Sequence, residues 1–268
     1  MEDYMKNYDQ YHKKIVYKFI LGYGGIGDCI KYFIHVLNLC IKYKLRLSYL
    51  ISNIPLEKYL RLKYAKMYVT AEQIKTKEIT ARDIPTLSDN INDNQNNEYH
   101  LVHPLIFFNE FSYETIHSIQ DVFDFSEEVK LNRAELLLPH YTNYLSLHLR
   151  LGDKYLETDV SYIQSKDDVR IYNETDVLHF IEENADKIIL FFCDNQQYKL
   201  KIKNKYKHII ITEGEIGHTG LYNTTYKQVL DTVTEFYIMT ESEKIINAAN
   251  SGFPIVASKF KNIPLISL

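Results

Sequence analysis

Tryptophan is absent from this chain, and cysteine, proline and glycine are scarce: 0 Trp, 3 Cys, 6 Pro and 9 Gly among 268 residues. So little glycine and proline excludes a collagen-like fibre. Cys29, Cys40 and Cys193 are too few for a disulfide scaffold, and without a C-x-x-C pair a structural zinc site of the usual spacing is not expected. An odd number of thiols in apolar surroundings points to reduced, buried cysteines and a cytoplasmic protein. Long apolar runs are also missing. No stretch approaches the roughly 18 residues of a membrane span, and the N-terminal MEDYMKNYDQYHKK lacks the apolar segment of a signal peptide. Neither charge sign prevails: 31 Lys+Arg stand against 35 Asp+Glu, a net charge of -4. That leaves no basic footprint for a nucleic-acid partner. The densest basic run, Lys199 to Lys207 (KLKIKNKYK), reads as a solvated amphipathic helix leading into a strand.

What is present suits a folded protein. With 46% hydrophobic and 25% charged residues, the chain can bury a sizeable core and is not disordered. At about 150 residues per domain its length suggests two domains, or one large one. The 23 tyrosines accompany abundant Ile, Lys and Asn, so they read as composition bias and carry no function by themselves.

Two strand-helix alternations run along the chain. Ile15 to Leu21 is a short apolar run rich in β-formers and reads as a buried strand. The glycine loop Gly22 to Gly27 follows, then a helix over Asp28 to Tyr43 with Ile30, Phe33, Ile34, Leu37 and Ile41 on one face. A strand is expected over Leu45 to Ile51, a helix over Pro55 to Tyr64 and a short strand over Met67 to Thr70. The polar Asp89 to Asn97 reads as a surface loop, Tyr99 to Phe108 as a strand, and Ser126 to Leu138 as a helix capped by Ser126. Pro139 to Asn143 is a connector.

A second alternation begins with a strand at Tyr144 to Leu149. It continues through helix Thr175 to Asn184, strand Lys187 to Cys193, helix Gln196 to Tyr206 and strand His208 to Thr212. Helix Thr224 to Thr240, strand Lys244 to Asn247 and a helical turn over Phe253 to Phe260 complete it. This order predicts an α/β protein of two Rossmann-like domains, 1–140 and 141–268, facing each other across a cleft.

The glycine loop satisfies G-x-G-x-x-G between a strand and a helix, a setting where anions approach backbone N–H groups. A dinucleotide site also wants an acidic residue about 20 residues on. Here Leu50 to Pro55 holds none, which lowers the NAD or S-adenosylmethionine reading. Asp28 and Cys29 stand where a phosphate-binding P-loop needs Lys and Ser/Thr. The loop is then either a tight turn packing helix on sheet, or a wall of the cleft formed by Gly24, Gly25, Gly27 and Asp28.

Three strand ends carry the remaining chemistry. His148 to Lys154 (HLRLGDK) follows a strand, at the sheet edge where α/β proteins bind ligands. Alternation puts His148 and Arg150 on one side, and a guanidinium there suits a phosphate, unless it only pairs with Asp153. Asp194, at the end of the next strand, can bind a base or ribose, or cap the helix near Gln196. Asn250-Ser251-Gly252 offers a hydroxyl and free N–H groups at a helix start, for phosphate or as an ordinary cap. Together these ends predict a nucleotide-diphosphate site in the second half.

Residues 144–258 resemble the fucosyltransferase superfamily, whose members have a two-domain GT-B fold. The family's H-x-R-R-x-D-like segment is similar to HLRLGD here, with Leu151 in place of the second Arg. Its T-D-D strand end is similar to Cys193-Asp194-Asn195, and its final Ser/Phe motif to Asn250-Ser251-Gly252-Phe253. A preceding helix with an acidic residue resembles Asp231 to Met239, and GGIGD (Gly24 to Asp28) is similar to loops of several GT-B transferases.

The resemblance implies a nucleotide-sugar donor, with GDP-L-fucose foremost, and a glycan acceptor. Domain 141–268 is then the donor side and 1–140 the acceptor side. His148, Arg150, Asp153, Asp194, Asn250, Ser251, Gly252 and Phe253 become donor contacts. Arg150 would stabilise the departing diphosphate, Glu157 or Asp159 would act as base, and Lys154 would relay charge. His218, in the glycine-flanked EIGHTG, is a second-tier candidate for the cleft. No D-x-D occurs, so no metal and no cofactor beyond the donor are expected, and transfer inverts the anomeric centre. Another nucleotide sugar, an NAD- or S-adenosylmethionine-dependent enzyme, or a glycan-binding module without catalysis remain as alternatives.

Overall fold

Central strands of parallel sheets are buried on both faces, and Leu145–Leu149 and Ile189–Cys193 of the second half are buried at every position. The computed structural model describes residues 1–70, 77–87, 98–101, 118–137, 141–156 and 168–268. Its first half contains α1 (Glu2–Asn7), β1 (Lys14–Tyr17), α2 (Ile26–Tyr43), β2 (Arg46–Leu50), α3 (Pro55–Tyr59), β3 (Leu60–Leu62) and β4 (Tyr68–Val69). β5 (Lys77–Ile79), β6 (Glu98–Leu101), β7 (Phe123–Phe125) and α4 (Glu127–Leu136) follow. The second half contains β8 (Leu145–Leu149), α5 (Glu174–Glu183), β9 (Ile189–Cys193), α6 (Gln196–Lys205) and β10 (Ile209–Ile210). It ends with α7 (Tyr226–Met239), β11 (Lys244–Asn247), α8 (Gly252–Phe260) and β12 (Leu265–Ser267).

Two five-stranded parallel sheets result, in the orders β4-β2-β1-β6-β5 and β10-β9-β8-β11-β12. In each sheet the chain starts in the middle and winds outward, the doubly-wound pattern whose switch point opens a crevice at the strands' carboxyl ends. β8 is the central strand of the second sheet, with His148 in register with Phe192 on one side and Asn247 on the other. The halves meet along helices: α7 packs on α3, α4 and α8, and α8 packs on α2. One apolar cluster runs from Ile15, Phe33 and Leu47 through Phe125 to Phe236, Val256 and Phe260, so the core is continuous between the sheets. A second cluster, around Leu147, Phe191 and Ile246, fills the other face of the second sheet. No described helix is long and apolar enough to cross a membrane.

Most expected elements of the second half agree with the observed ones to within two residues at each end. Four departures stand out. α2 begins at Ile26 rather than Asp28, so Gly27 and Asp28 form its first turn. Gly27 belongs there because a Cβ would stand 3.2 Å from Gly252 O, where the N-termini of α2 and α8 cross. The helix expected over Pro55 to Tyr64 stops at Tyr59, because Leu60–Leu62 pair antiparallel with Phe123–Phe125. The strand expected over Ile15 to Leu21 leaves the sheet after Tyr17. The fourth concerns Lys199, which is not solvated but fully buried against Glu235 and Thr212.

The polar N-terminus also folds: Tyr4 and Tyr8 of α1 and the turn after it bond to β2 and the residue before it. The Tyr4 hydroxyl donates to Leu45 O (2.9 Å) and accepts from Leu47 N, and that of Tyr8 donates to Leu47 O. The loop expected at Asp89 to Asn97 and most of the strand expected over Tyr99 to Phe108 lie outside the described residues, as do residue 138 of the expected helix and residues 139–140 of the expected connector. Ser126 caps α4 as expected, accepting from Val129 N.

Candidate functional site

A cavity of about 210 Å³ opens at the carboxyl ends of β8, β9 and β11. Its walls come from both halves: Gly25, Ile26, Gly27 and Asp28 on one side, and residues of the second half on the other.

β8 delivers His148 and Arg150 to it. His148 is 7% exposed, and its ring stacks on Phe253 with centroids 5.4 Å apart and planes 19° apart. Phe253 is itself held edge-on by Phe236 at 5.1 Å. The buried Nδ1 of His148 has no hydrogen-bond partner among the described residues. Burial, then the nearby charges of Arg150 and Lys199, pushes this imidazole down to about 3. His148 is therefore neutral across the physiological range.

Arg150 is held between two carboxylates. It pairs closely with Asp153, and its Nη1 lies 3.9 Å from Asp194 Oδ2. Asp194 accepts from Leu151 N at 2.8 Å and Gly152 N at 3.1 Å, which clamps the turn after β8. Burial pushes the Asp194 carboxyl up, opposed by Arg150 and these amides. Asp194 is not the helix cap that its position also allowed; Asn195 takes that place by accepting from Tyr198 N. Gly152 is required, because its φ is +113° and a Cβ would meet Asp168 O at 2.3 Å.

Ser251 caps α8 by accepting from Phe253 N, and Asn247 grips Ser251 with bonds to its N–H and carbonyl. Asn250 and Gly252 complete the turn on the cavity wall, Asn250 with φ at +45°. The positive ends of α8 and α2 thus meet at the cavity that Arg150 also lines, a field suited to an anion.

The glycine loop is a wall, and part of its N–H supply is already used. Gly22 N donates to Gly220 O at 2.8 Å, and Ile26 N donates to Thr219 Oγ1 at 2.8 Å. A Cβ on Gly220 would stand 1.7 Å from Gly24 O, so the two loops touch backbone to backbone. A dinucleotide pyrophosphate would need the helix-start N–H that Thr219 holds. His218 lines the cavity rather than the outer surface. Its Nδ1 accepts from Gly220 N, and its imidazole is pushed down by burial and by Arg150, against Asp153 and Asp28.

Some expected site residues lie elsewhere. Neither Asp153 nor Lys154 lines the cavity; Asp153 serves Arg150, and Lys154 is exposed. Gly24 stands behind the wall, beneath which Asp28 is packed. Glu157 and Asp159 lie outside the described residues. Asp231, the acidic residue of the expected family helix, is fully buried between Asn132, Lys227 and Glu215 N. One turn on, Glu235 reaches the cavity instead.

Sequence reasoning missed Glu235, Thr219, Thr232 and Arg170 on this wall. Arg170 had no local signal, since its backbone N–H bonds to Leu151 O, a partner distant along the chain. It places a second guanidinium near the position where Leu151 replaces the family's second Arg. Among the described residues no three His, Cys, Asp or Glu side chains cluster to hold a metal ion. Cys29, Cys40 and Cys193 are free and buried, and burial pushes all three thiols up.

No protein-family model matches the chain, and no curated protein matches it. Solved structures do, over nearly the whole length. NodZ α-1,6-fucosyltransferase soaked with GDP-fucose superposes with a TM-score of 0.61 at 11% identity, covering 96% of this chain and 95% of NodZ. NodZ from Bradyrhizobium gives 0.58 at 10% identity, over 95% and 94%. POFUT1 in complex with GDP gives 0.61 at 12% identity, covering 96% of this chain and 99% of POFUT1. The architecture is therefore GT-B: two parallel α/β units facing a cleft. It is the fold that NodZ and POFUT1 share, the two-domain arrangement expected from the sequence.

Proposed function

We propose that this protein is a glycosyltransferase that takes a sugar from a nucleoside-diphosphate donor, with GDP-fucose as donor and a glycan as acceptor. The observation that carries this reading is the convergence of Arg150, Arg170 and the N-termini of α8 and α2 on one cavity at the sheet's carboxyl edge. Such a site offers positive charge where a diphosphate leaves, without any step that needs a metal. The missing D-x-D motif supports the same reading. Crystals of NodZ with GDP-fucose and of POFUT1 with GDP support the choice of donor.

In this reading residues 141–268 form the donor side. The His148–Phe253 stack and Asp194 hold the nucleoside, and Arg150 with the α8 N-terminus holds the diphosphate. Residues 1–140 form the acceptor side, and the sugar is transferred with inversion. Asp153 positions Arg150 and is not a donor contact.

The test is a thermal-shift titration with GDP, GDP-fucose and UDP-sugars, followed by release of GDP from the donor. Wild type should be stabilised by GDP and GDP-fucose and not by UDP. Arg150→Ala should lose that stabilisation; equal stabilisation in the variant would show that the phosphate lies elsewhere.

A further inference from the structure

Among the described residues three carboxylates line the cavity. Asp194 gives its oxygens to Leu151 N and Gly152 N. Glu235 is tied through Oε1 to Lys199 Nζ at 2.5 Å and to the Thr212 hydroxyl. Both belong to the second half, with Arg150. Asp28 alone stands on the facing wall, in the first turn of α2.

Its setting is specific. Oδ1 lies 2.7 Å from Lys31 Nζ, and the Asp28 side chain is 26% exposed while that of Lys31 is 4% exposed. Lys31 thus holds Oδ1 from the protein side, while the Asp28 side chain stays partly exposed on the cavity wall. Oδ2 faces Gly24, where a Cβ would stand 2.2 Å from it. Only a residue without a side chain, at φ +113°, fits over that oxygen.

We propose that Asp28 is the general base of the transfer, an inference that rests on the function proposed above. The acceptor hydroxyl gives its proton to the Asp28 carboxylate, and its oxygen forms a bond to the anomeric carbon. The bond from that carbon to the β-phosphate oxygen breaks, and its electron pair leaves with the diphosphate towards Arg150. Base and Arg150 then reach the one cavity from different halves of the chain, the base to take the proton and the guanidinium to receive the diphosphate.

The test compares Asp28→Asn, Glu157→Gln and Asp159→Asn with wild type. It measures GDP affinity and the release of GDP from GDP-fucose with water as acceptor. Loss of a general base costs about 100-fold or more in kcat, so Asp28→Asn should fall by that much while its Kd for GDP stays within about threefold. The double variant Asp28→Asn with Lys31→Met removes the buried ammonium left without its carboxylate, and should bind GDP yet remain inactive. Wild-type turnover in Asp28→Asn, or a comparable loss in Glu157→Gln or Asp159→Asn instead, would overturn the assignment while leaving the donor reading intact. A wild-type protein that does not bind GDP would overturn both.

Discussion

An imidazole titrates near 6.5 in an unfolded chain, whereas burial and the charges of Arg150 and Lys199 lower His148 to about 3 in the folded protein. Between those values the unfolded chain binds a proton that the folded protein refuses. Stability therefore falls as pH drops below about 6.5, and this contribution is fully lost near pH 3. His218, also pushed down by burial, acts in the same direction, and Asp194, pushed up, opposes it at carboxylate pH. Replacing His148 by Gln should spare about 2 kcal/mol of the stability lost between about pH 7 and 5. Melting curves across that range check this; parallel curves for the two proteins would refute it. Lys199 makes a second residue-scale case. Lys199→Met leaves Glu235 buried and unpaired, a loss of about 3–5 kcal/mol, and pairing it with Glu235→Gln should restore part of it. Chemical denaturation of the single and double variants measures the difference. Neither role was legible locally: His148 stood out by its place at a strand end, but Lys199 looked like one of several solvated lysines.

At the scale of elements, the loop between β10 and α7 joins the two halves. Gly22 N, Ile26 N and the Tyr222 hydroxyl, bonded to Leu21 O, all connect it to the glycine loop. Gly220→Ala should lower stability by about 3 kcal/mol or more, because backbone rather than a flexible side chain meets the new Cβ. A thermal melt unchanged by that substitution would contradict the loop contact. The strand–loop–helix opening was readable because G-x-G-x-x-G is a local signal. That its N–H groups serve Thr219 and Gly220 was not, because the partners lie some two hundred positions along the chain. The same reason explains β3 and β7, whose short antiparallel pair replaced half of an expected helix.

For the whole molecule, the continuous apolar cluster matters most. It joins Phe33 and Leu47 of the first half to Val233, Phe236 and Val256 of the second. Residues 141–268 expressed alone would expose that surface to water. They should show weak near-ultraviolet dichroism and no cooperative melt, and a sharp melting transition in the isolated half would show that the shared core is dispensable.

Composition and periodicity alone determined the α/β class, the alternation that makes two parallel sheets, and three strand ends carrying polar chemistry. These are local properties, since apolar runs, glycine turns and caps act within a few residues of one another. Tertiary structure decided which polar residues meet. It withdrew Asp153 and Lys154 from the cavity, and brought Glu235, Arg170 and His218 to it. It also brought Asp28 of the first half to the cavity that Arg150 lines. The physical reason is that burial, pairing and the convergence of helix ends depend on how two sheets pack, and no window of sequence contains both.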